Sequence, residues 1–484
     1  MSPSVEKADG SQGDAPLAWA STDDMNAFEA VMWRIEADPM QRASAMAIEE
    51  LDTTPDWDRF VAAHEWATRM APRFRQRVVE GPLGVGAPRW TTDPEFDVRY
   101  HVRRIRLPEG SGWTQLLDAA AQIGMTPLDR SRSPWQVVLF EGLPDGRAGY
   151  MLKLHHSTTD GHGFMQLLGQ LHSRTREPGT KPQPAYAAAE PITPVDALLH
   201  QVRADAQELP RATWALGSRL FRAAASPTRS VRDAVEYGAS LKRVLSPPDC
   251  VGSPLLAERS LNWRFAVLEM SFADLKAAGK AAGGSLNDAF MAGLLGGFRL
   301  YHEAMGVPVV DAIPTAIPVS IRTSDDAQGG NHIASARFAG PVAMADPTDR
   351  IQRIRQLVGA ARTEPAVDVI GLASPLLARL PGSVIAQLAG PMTKGNDLQA
   401  SNVPGLGEEL YLAGAKIERM YGFGPLPGCA SMITLITHGR TACVGINMDA
   451  AAFTEPDTFV SCVRDGFAEV LALHPGAATP TVRA

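Results

Sequence analysis

Cysteine is scarce in this chain. Its 484 residues include only 4 cysteines, and no two of them form a C-x-x-C pair. Zinc sites and disulfide frameworks need clustered or regularly spaced cysteines, so the sequence predicts neither. The polar, acidic N-terminus also lacks the charged and then apolar pattern of a signal peptide. These absences favour a reducing, cytoplasmic setting.

Long apolar runs are also missing. No stretch is apolar over 18 consecutive residues, so we expect no membrane-spanning helix. The nearest candidate covers residues 369–390 and is interrupted by Pro375, Arg379 and Pro381. Two interpretations of it stay open: a buried pair of helices, or an element that lies on a membrane surface.

Charge of one sign is not concentrated anywhere. The net charge is -7, with no long run of either sign. Nucleic-acid binding calls for a basic face, so we expect no nucleic-acid partner. The chain does have length and apolar content, since 45% of its 484 residues are hydrophobic. That is too long for one ordinary domain, and we expect two or three.

The most informative stretch covers residues 150–171, YMLKLHHSTTDGHGFMQLLGQL. Residues 151–155 are typical of a short strand, and apolar residues at i, i+3, i+4 and i+7 from Phe164 predict a helix. His155 and His156 lie between the two elements. Because adjacent strand residues point to opposite faces, only one of these histidines can face a cleft. A histidine at a strand end, followed by an acid and a glycine, suits general-base chemistry, because its pKa lies near working pH.

A purely structural interpretation of this stretch stays open. Asp160 has the position of a helix N-cap, and Gly161 suits a turn. Either histidine alone also fits a satisfied core residue. The serines offer no G-x-S-x-G elbow, so a serine-hydrolase mechanism is not predicted.

HHSTTDG at residues 155–161 is similar to the HHxxxDG motif of the CoA-dependent acyltransferase superfamily. The surrounding segments resemble, more specifically, the bacterial wax ester synthase/diacylglycerol acyltransferase family. The matching segments run in order along most of the chain: FRQRVV at 74–79, DPEFDVRYHV at 93–102, SLND at 285–288, PVSIR at 318–322, GN at 330–331 and SNVPG at 401–405. Ordered agreement is much more specific than any single motif.

Three segments depart from the family pattern. Where the family has Pro-Leu-Trp-Glu, this chain has Ser133-Pro134-Trp135-Gln136. Leu406 follows SNVPG where proline is usual, and residues 21–24 resemble the family's start only loosely. Because the HHxxxDG motif is intact, these departures bear on substrate range and activity level more than on reaction type. We interpret Trp135 as a core residue.

The resemblance implies a role for each residue of the motif. His156 would be the general base that deprotonates the acceptor hydroxyl. His155 would face the other side and support the loop. Asp160 would fix the loop rather than relay charge, and Gly161 would leave room for the substrate or a tight turn.

Two further motifs have both a structural and a functional interpretation. Ser285 and Asp288 have the S-x-x-[DE] spacing of a helix capping box. Asn287 beside them could instead project its amide toward the oxyanion or the acceptor. Ser401 and Asn402 are candidates for lining the substrate channel, although loop geometry alone explains a turn rich in asparagine, proline and glycine. No metal or cofactor is expected, because acyl-CoA enters as a substrate.

The resemblance also implies an α/β fold. Two chloramphenicol acetyltransferase-like domains with mixed sheets would be joined by a helical crossover, with the active-site tunnel at their interface. We predict a disordered N-terminus at 1–17, an N-terminal acyltransferase domain at 18–180, a linker and crossover at 181–250, and a C-terminal acyltransferase-like domain at 251–484. Scattered arginines in the crossover would form a face for CoA phosphates or lipid, or an ordinary solvated helix face: Arg203, Arg211, Arg219, Arg222, Arg229 and Arg232.

The implied activity is O-acyl transfer from long-chain acyl-CoA to a lipid alcohol. The two candidate acceptors are diacylglycerol, which gives triacylglycerol, and a long-chain fatty alcohol, which gives a wax ester. Lipid substrates of this kind imply peripheral contact with a membrane or with lipid inclusions. Two alternatives stay open: a CoA-dependent acyltransferase with a different alcohol or amine acceptor, and a non-catalytic lipid-surface protein that keeps the fold.

Four local patterns make structural predictions. Residues 136–141 and 149–155 predict strands joined by a Pro-Asp-Gly turn, and residues 431–437 and 441–448 predict a hairpin. Alternation predicts a strand over residues 98–107. Residues 312–322 predict an edge or bulged strand, because Pro314 and Pro318 fall within it.

Overall fold

The computed structural model describes residues 17, 22–84, 86–179, 183–184, 190–203, 206, 250–320, 333–362 and 380–483. Several predictions fall outside these ranges. They are the disorder of the N-terminus before residue 17, most of the crossover with its arginines beyond Arg203, and the motif residues Arg322, Gly330 and Asn331. In the described part of the crossover, residues 194–203 are helical and Arg203 is exposed.

The N-terminal half alternates between short helices and strands. Its helices are Ala27–Ile35 (α1), Trp57–Met70 (α2), Val98–His101 (α3), Trp113–Met125 (α4) and Gly161–Leu171 (α5). Its strands are Ser44–Leu51 (β1), Gln76–Val79 (β2), Arg89–Thr92 (β3), Val102–Arg106 (β4), Trp135–Glu141 (β5) and Ala148–His155 (β6).

The C-terminal half follows the crossover. Its described helices are Phe272–Ala281 (α6), Leu286–Ala304 (α7), Pro347–Arg362 (α8), Gly382–Lys394 (α9) and Pro456–Leu471 (α10). Its strands are Trp263–Ser271 (β7), Ala312–Ser320 (β8), Ile333–Pro341 (β9), Leu398–Val403 (β10), Tyr411–Leu412 (β11), Ala415–Phe423 (β12), Ser431–His438 (β13), Thr441–Asp449 (β14) and Thr481–Val482 (β15). No helix in the described part of the chain is both long and apolar enough to cross a membrane.

Two mixed sheets organise the molecule, as predicted. The first has the order β11-β12-β1-β6-β5-β4, with β4 parallel to β5 and the other pairs antiparallel. The second has the order β15-β7-β14-β13-β10-β8-β9, with β10 parallel to both neighbours. The strands β2 and β3 form a separate antiparallel pair.

The first sheet contains strands from both halves of the chain. β12 comes from the C-terminal half but pairs with β1 in the first sheet, from Met46↔Phe423 to Leu51↔Ile417. The first sheet therefore depends on residues far along the chain. The limits 18–180 and 251–484 stay predictions, and a division into two contiguous segments leaves out this contribution of the C-terminal half to the first sheet.

β6 is the strand that carries the site. It lies between β1 and β5, and all its residues are buried. Leu152 packs with Phe60 of α2 and Leu167 of α5, whereas Met151 packs with Leu116 of α4. Because both faces of the strand are covered, its sequence is almost continuously apolar rather than alternating.

Two local predictions are confirmed. β5 and β6 are antiparallel neighbours, and their connection includes Asp145 and Gly146 at φ of 58° and 70°. β13 and β14 form the second predicted hairpin, with Gly439 at φ 57° in its turn. These left-handed turn conformations favour glycine, and asparagine or aspartate next, which is why the sequence signalled them.

The strand prediction for residues 98–107 is wrong over its first four residues. Val98–His101 form the helical turn α3, because the Asp97 side chain accepts the Arg99 N–H at 2.9 Å and caps it. Only Val102–Arg106 is a strand. It lies at the sheet edge, and its last four residues are exposed. The alternation of apolar and polar residues there therefore did not distinguish a buried face from an exposed one.

The prediction of an edge or bulged strand at residues 312–322 is also wrong. β8 lies inside the second sheet, between β10 and β9, and pairs with β9 without a register shift. Its pairing with β10 involves only Thr315 and Ala316, which lie between the two prolines. This short pairing accommodates Pro314 and Pro318, which have no N–H to donate.

The apolar segment 369–390 is described only from residue 380. Its C-terminal part belongs to α9, which packs against α1. Ile385 is fully buried there, and a Cβ at Gly382 would lie 2.7 Å from the Arg34 carbonyl oxygen. This contact favours the buried interpretation for the described residues.

Candidate active site

His156 follows the last residue of β6, where the chain turns toward α5. Its N–H donates to the Ala43 carbonyl oxygen at 2.7 Å, which extends the β1–β6 pairing past the strand end. His156 is partly exposed, whereas His155 and residues 157–160 are buried. Of the two histidines of the motif, His156 is therefore the less buried.

His155 is held by three groups on the buried side. Its Nδ1 accepts the Ser157 N–H at 3.1 Å, and its Nε2 lies 3.2 Å from Glu36 Oε1. Its ring packs edge-on against Trp33, with ring centroids 5.0 Å apart. Because a backbone N–H can only donate, the ring proton of His155 lies on Nε2, toward Glu36. These contacts fit support of the loop.

Glu36 is a site residue that sequence reasoning missed. Its Oε1 accepts the Ala43 N–H at 2.7 Å and also faces His155, so one carboxylate joins α1 to β1 and to the motif. Burial raises the pKa of Glu36, but the charge interaction and hydrogen bonds with His155 and Ala43 outweigh burial and hold this pKa below its usual value. The position of Glu36 indicates that its carboxylate needs a partner. Glu36 is the C-cap of α1, where the helix dipole disfavours a carboxylate that lacks one.

Asp160 is the N-cap of α5, as the structural interpretation predicted. It is buried, and its side chain accepts the Gly163 N–H at 2.8 Å. A Cβ on Gly161 would lie 3.1 Å from Val403 Cγ2, a tight contact. The glycine therefore lets the start of α5 lie close to the SNVPG segment.

The charge state of His156 is set by burial and by Asp160. Burial lowers the pKa of His156, and the Asp160 carboxylate opposes only part of this shift. At neutral pH the ring is therefore uncharged and can accept a proton. A neutral imidazole on a rigid strand end can take a proton from a hydroxyl and return it to a leaving group.

SNVPG leaves the end of β10. Ser401 and Asn402 are half-buried there, in parallel register with Thr434 and Leu435 of β13. Leu406, at the position where the family usually has proline, lies beside Gly169 of α5. The structure thus brings this segment and the HHSTTDG segment together, while the channel-lining role of Ser401 and Asn402 stays a prediction.

Asn287 lies in the first turn of α7, where it is half-buried. The capping box beside it is present: Ser285 Oγ accepts the Asp288 N–H at 3.3 Å, and Asp288 accepts the Ser285 N–H at 2.8 Å. The structural interpretation of Asp288 is confirmed. The proposed contact of Asn287 with the oxyanion or the acceptor stays a prediction.

Three of the family-like segments meet in one aromatic cluster. The Trp135 indole N–H donates to the Phe74 carbonyl oxygen at 2.8 Å, and its ring stacks on His101 with centroids 4.5 Å apart. Trp135 is 5% exposed, so its interpretation as a core residue is confirmed. These contacts give a structural reason for the segments around Phe74, His101 and Trp135.

Metal-binding clusters and cysteines are the other candidate reactive groups in the part of the chain that the structure describes. No group of three or more His, Cys, Asp and Glu side chains there could hold a metal ion. Three of the four free cysteines are buried, namely Cys429, Cys443 and Cys462, and Cys250 is half-buried.

Comparison with known families covers most of the chain. Residues 20–290 match the wax ester synthase/diacylglycerol acyltransferase catalytic domain, and residues 329–470 match the WS/DGAT C-terminal domain. A protein of Mycobacterium tuberculosis strain H37Rv, provisionally named as a diacylglycerol O-acyltransferase, is 41% identical over 465 residues. The aligned region covers 94% of this chain and 93% of that protein.

Solved structures support the same fold. The wax ester synthase/diacylglycerol acyltransferase from Marinobacter aquaeolei VT8 superposes with a TM-score of 0.62 at 20% identity, over 93% of this chain and 98% of that one. The first condensation domain of the CDA synthetase superposes with a TM-score of 0.55 at 16% identity, over 95% and 98%. The predicted α/β architecture is thus confirmed, and the chain belongs to the wax ester synthase/diacylglycerol acyltransferase family.

Proposed function

We propose that this protein transfers a long-chain acyl group from acyl-CoA to the hydroxyl of diacylglycerol, with a long-chain alcohol as the second acceptor. The observation that carries this proposal is the partly exposed, uncharged His156 at a rigid strand end, within a chain of this family. The similar proteins from Mycobacterium tuberculosis are provisionally named diacylglycerol O-acyltransferases, and this favours diacylglycerol as the first acceptor. The name of the Marinobacter protein, which includes wax ester synthase, keeps the alcohol as the second.

The proposed reaction uses His156 as the base. Its ring nitrogen takes the hydroxyl proton while the hydroxyl oxygen attacks the thioester carbonyl carbon. The tetrahedral intermediate then collapses, the carbon–sulfur bond breaks, and the thiolate of CoA takes the proton back from His156. The proton taken from the hydroxyl ends on the CoA thiol, so the step needs neither an acyl-enzyme nor a metal. Acyl-CoA is consumed as a substrate and is not a cofactor.

The remaining site residues have supporting roles in this proposal. His155 and Asp160 hold the loop through Ser157, Glu36 and the cap of α5. Gly161 lets α5 lie against Val403. Asn287 is the proposed donor to the oxyanion or the acceptor, and Ser401 and Asn402 are the proposed channel walls.

Contact with a membrane or lipid inclusion, from the cytoplasmic side, is part of the proposal. The edge strand β4 supports it, because Arg103, Arg104 and Arg106 are exposed there beside the exposed side chains of Ile105 and Tyr100. Exposed arginines next to apolar groups suit an anionic lipid surface. The double variant Arg103→Glu/Arg104→Glu should lose flotation with anionic vesicles and keep its activity on dispersed substrates. Unchanged flotation would exclude this surface.

Product analysis tests the proposed function. Labelled palmitoyl-CoA is offered with equal amounts of 1,2-diacylglycerol and hexadecanol, and the lipids are separated by thin-layer chromatography. Triacylglycerol should be the main product and wax ester the minor one, and both should vanish in His156→Ala. If neither product forms, the acceptor belongs to another class. If vesicle binding then also survives His156→Ala, the non-catalytic interpretation applies.

A further inference from the structure

Arg337 of β9 is a shielded cation that lacks a partner in the part of the chain that the structure describes. Its three guanidinium nitrogens are hidden from solvent, and within the described residues none of them has a hydrogen-bond partner. Burial lowers the pKa of Arg337, and no charge among those residues opposes this shift. Arginine keeps its proton in proteins, so the buried charge stays uncompensated, which is costly.

Other buried arginines of the protein are paired. The Arg350 guanidinium donates to the Ala292 carbonyl oxygen and to Glu469, each at 2.9 Å. Arg34 likewise donates to Glu80 at 2.9 Å. Of the arginines that the structure describes, only Arg337 has all three guanidinium nitrogens buried and without a hydrogen bond. Arg337 is therefore suited to an anion that a ligand supplies.

The side chain of Arg337 lies on the face of the second sheet that is opposite its helix-covered core. Ala336 and Phe338, on either side of it in β9, belong to the core cluster that includes residues of α7 and α10. Because strand side chains alternate, Arg337 is on the other face. Ala316 of β8 lies beside it in register, and Gln399 of β10 lies beside Ala316. This row leads from the edge of the sheet to β10.

The same face leads along β10 to the catalytic motif. Gln399, Ser401 and Val403 are half-buried at alternate positions of the strand, so they share this face. Val403 lies against Gly161 at the start of α5. Ile436, beside Val403 in β13, packs in a cluster with residues of α5 and β6. The face that carries Arg337 is thus turned toward the HHSTTDG segment.

The distance between Arg337 and the motif fits the arm of CoA. Two strand spacings of ~4.8 Å lie between Arg337 and Gln399, and the chain advances ~13 Å along β10 from Gln399 to Val403. These two perpendicular steps give a direct separation of ~16 Å. The sulfur and the first phosphorus of CoA are roughly 13 bonds apart, which is ~15 Å for an extended chain with three bonds per residue. A thioester at the motif therefore places the pyrophosphate beside Arg337.

We propose that Arg337 binds the pyrophosphate of acyl-CoA, with the pantetheine arm lying along β10. A guanidinium binds phosphate oxygens through two parallel hydrogen bonds, which would satisfy the unpaired nitrogens. The phosphates are the anions of acyl-CoA, because the acyl group is an uncharged thioester and the alcohol acceptors are also uncharged. The identity of the ligand rests on the proposed function, and Arg337 would act in binding rather than in proton transfer.

Steady-state kinetics with two acyl donors tests this contact. Arg337→Met should raise KM for palmitoyl-CoA by about tenfold or more and leave kcat within about twofold, because a hydrogen-bonded charge pair is lost. KM for palmitoyl-pantetheine, which has no phosphate, should not change. Arg337→Lys keeps a charge without the paired donors and should lie between the two proteins. Arg353→Met removes an exposed arginine of α8 as the matched control and should leave both KM values unchanged. Equal changes for the two donors, or none, would overturn the proposal.

Calorimetric titration separates this inference from the proposed function, because binding needs no turnover. In the His156→Ala background, adding Arg337→Met should weaken CoA binding about tenfold or more. Dephospho-CoA keeps the pyrophosphate and lacks the ribose phosphate, so its binding should weaken equally. Dephospho-CoA binding that is insensitive to Arg337 would overturn the pyrophosphate contact. CoA binding that depends on Arg337, in a protein without acyl transfer, would support this inference and refute the proposed function.

Thermal unfolding distinguishes a binding residue from a structural one. Removal of an unpaired buried charge should raise the Tm of the ligand-free protein in Arg337→Met. Saturating CoA should then raise the Tm of the wild type more than that of the variant, because a ligand stabilises in proportion to its affinity for the folded state. A ligand-free variant with a lower Tm than the wild type would indicate a structural role and overturn the proposal.

Discussion

His155 and His156 carry the same imidazole but occupy opposite environments. His155 is enclosed by Glu36, Ser157 and Trp33, and these contacts fix its tautomer. His156 is anchored through its backbone to Ala43 and is less buried than His155. The difference follows from strand alternation at the end of β6, which assigns neighbouring side chains to opposite faces.

Glu36 should act as a positioning residue. Glu36→Ala removes the carboxylate that joins Ala43 to His155, so the β6 end loosens and His156 is less well placed. We expect kcat to fall about tenfold to a hundredfold while KM changes by less than about threefold. Glu36→Gln keeps the acceptor for the Ala43 N–H and should recover much of kcat. Equal losses in both variants, or a change confined to KM, would contradict this role. The readout is steady-state kinetics on palmitoyl-CoA.

Glu49 should make stability depend on pH. Burial raises its pKa from 4.5 to about 8 on folding, so its contribution to stability is complete below about pH 4.5 and is lost as the pH rises toward 8. At about 1.4 kcal/mol per pKa unit, Glu49→Gln should exceed the wild type by up to about 4 kcal/mol near pH 8 and by little near pH 4.5. Urea unfolding at pH 5 and pH 8 measures this difference. A difference that does not grow with pH would contradict the protonated carboxyl.

The sequence allowed part of the site to be predicted at this scale. The HHSTTDG stretch predicted the N-cap at Asp160 and the opposite environments of His155 and His156, because these depend on neighbouring residues. The turn expected at Gly161 was wrong, because Gly161 is the first residue of α5. Glu36 was missed, because its partner His155 lies far from it along the chain. Folding brings the two side chains together, and the spacing of residues in the sequence carries no trace of that contact.

At the scale of elements, the site is a junction of β6, α5 and β10. Gly161 at the start of α5 lies against Val403 at the end of β10, and Gly169 lies against Leu406 beyond it. The two motifs come from different halves of the chain, so this junction couples their positions.

The glycine of SNVPG should be indispensable for this junction. A Cβ on Gly405 would lie 1.5 Å from the Thr437 carbonyl oxygen, so Gly405→Ala must displace the backbone. We expect a loss of about 3 kcal/mol or more in unfolding free energy and a lower kcat. Gly407→Ala is the matched control, because nothing lies within 4 Å of its Cβ, and it should change stability by less than about 0.5 kcal/mol. Equal effects at both positions would refute the close approach.

Element prediction succeeded where the signals are local. The β5–β6 and β13–β14 pairs were predicted from turn residues and apolar runs. The errors at residues 98–107 and 312–322 have physical causes. The Asp97 side chain caps a helical turn where a strand was predicted. The strand β8 pairs with β10 over only two residues, so its prolines fit inside the sheet.

The two halves are held together by the strands that the C-terminal half contributes to the first sheet and by the C-terminal end of the chain. Besides β12, the short strand β15 brings Arg483 between the sheets. Its guanidinium donates to Glu50 of β1 at 2.9 Å and lies 3.3 Å from Glu269 of β7. One cation thus joins both halves. The length and composition of the chain predicted several domains but not this interlocking, which depends on contacts hundreds of residues apart.

Arg483→Ala should weaken the union of the two halves. Glu50 is only 2% exposed, and the substitution leaves Arg147, at 2.7 Å, as its remaining cationic partner. We expect a loss of about 2–3 kcal/mol in unfolding free energy, below the value for a fully buried pair because Arg483 is partly exposed. Arg464→Ala, which breaks a surface pair with Asp465, should cost less than about 1 kcal/mol. Chemical denaturation compares the two, and a similar small loss in both would exclude the bridging role.

The most direct test of His156 as the general base is the release of CoA thiol from palmitoyl-CoA, with and without 1,2-diacylglycerol, in the wild type and in His156→Ala. Release should depend on the acceptor and should fall about 10²–10⁴-fold in the folded variant, as expected for loss of a general base. Acceptor-dependent release that persists at the wild-type rate in His156→Ala would contradict this role.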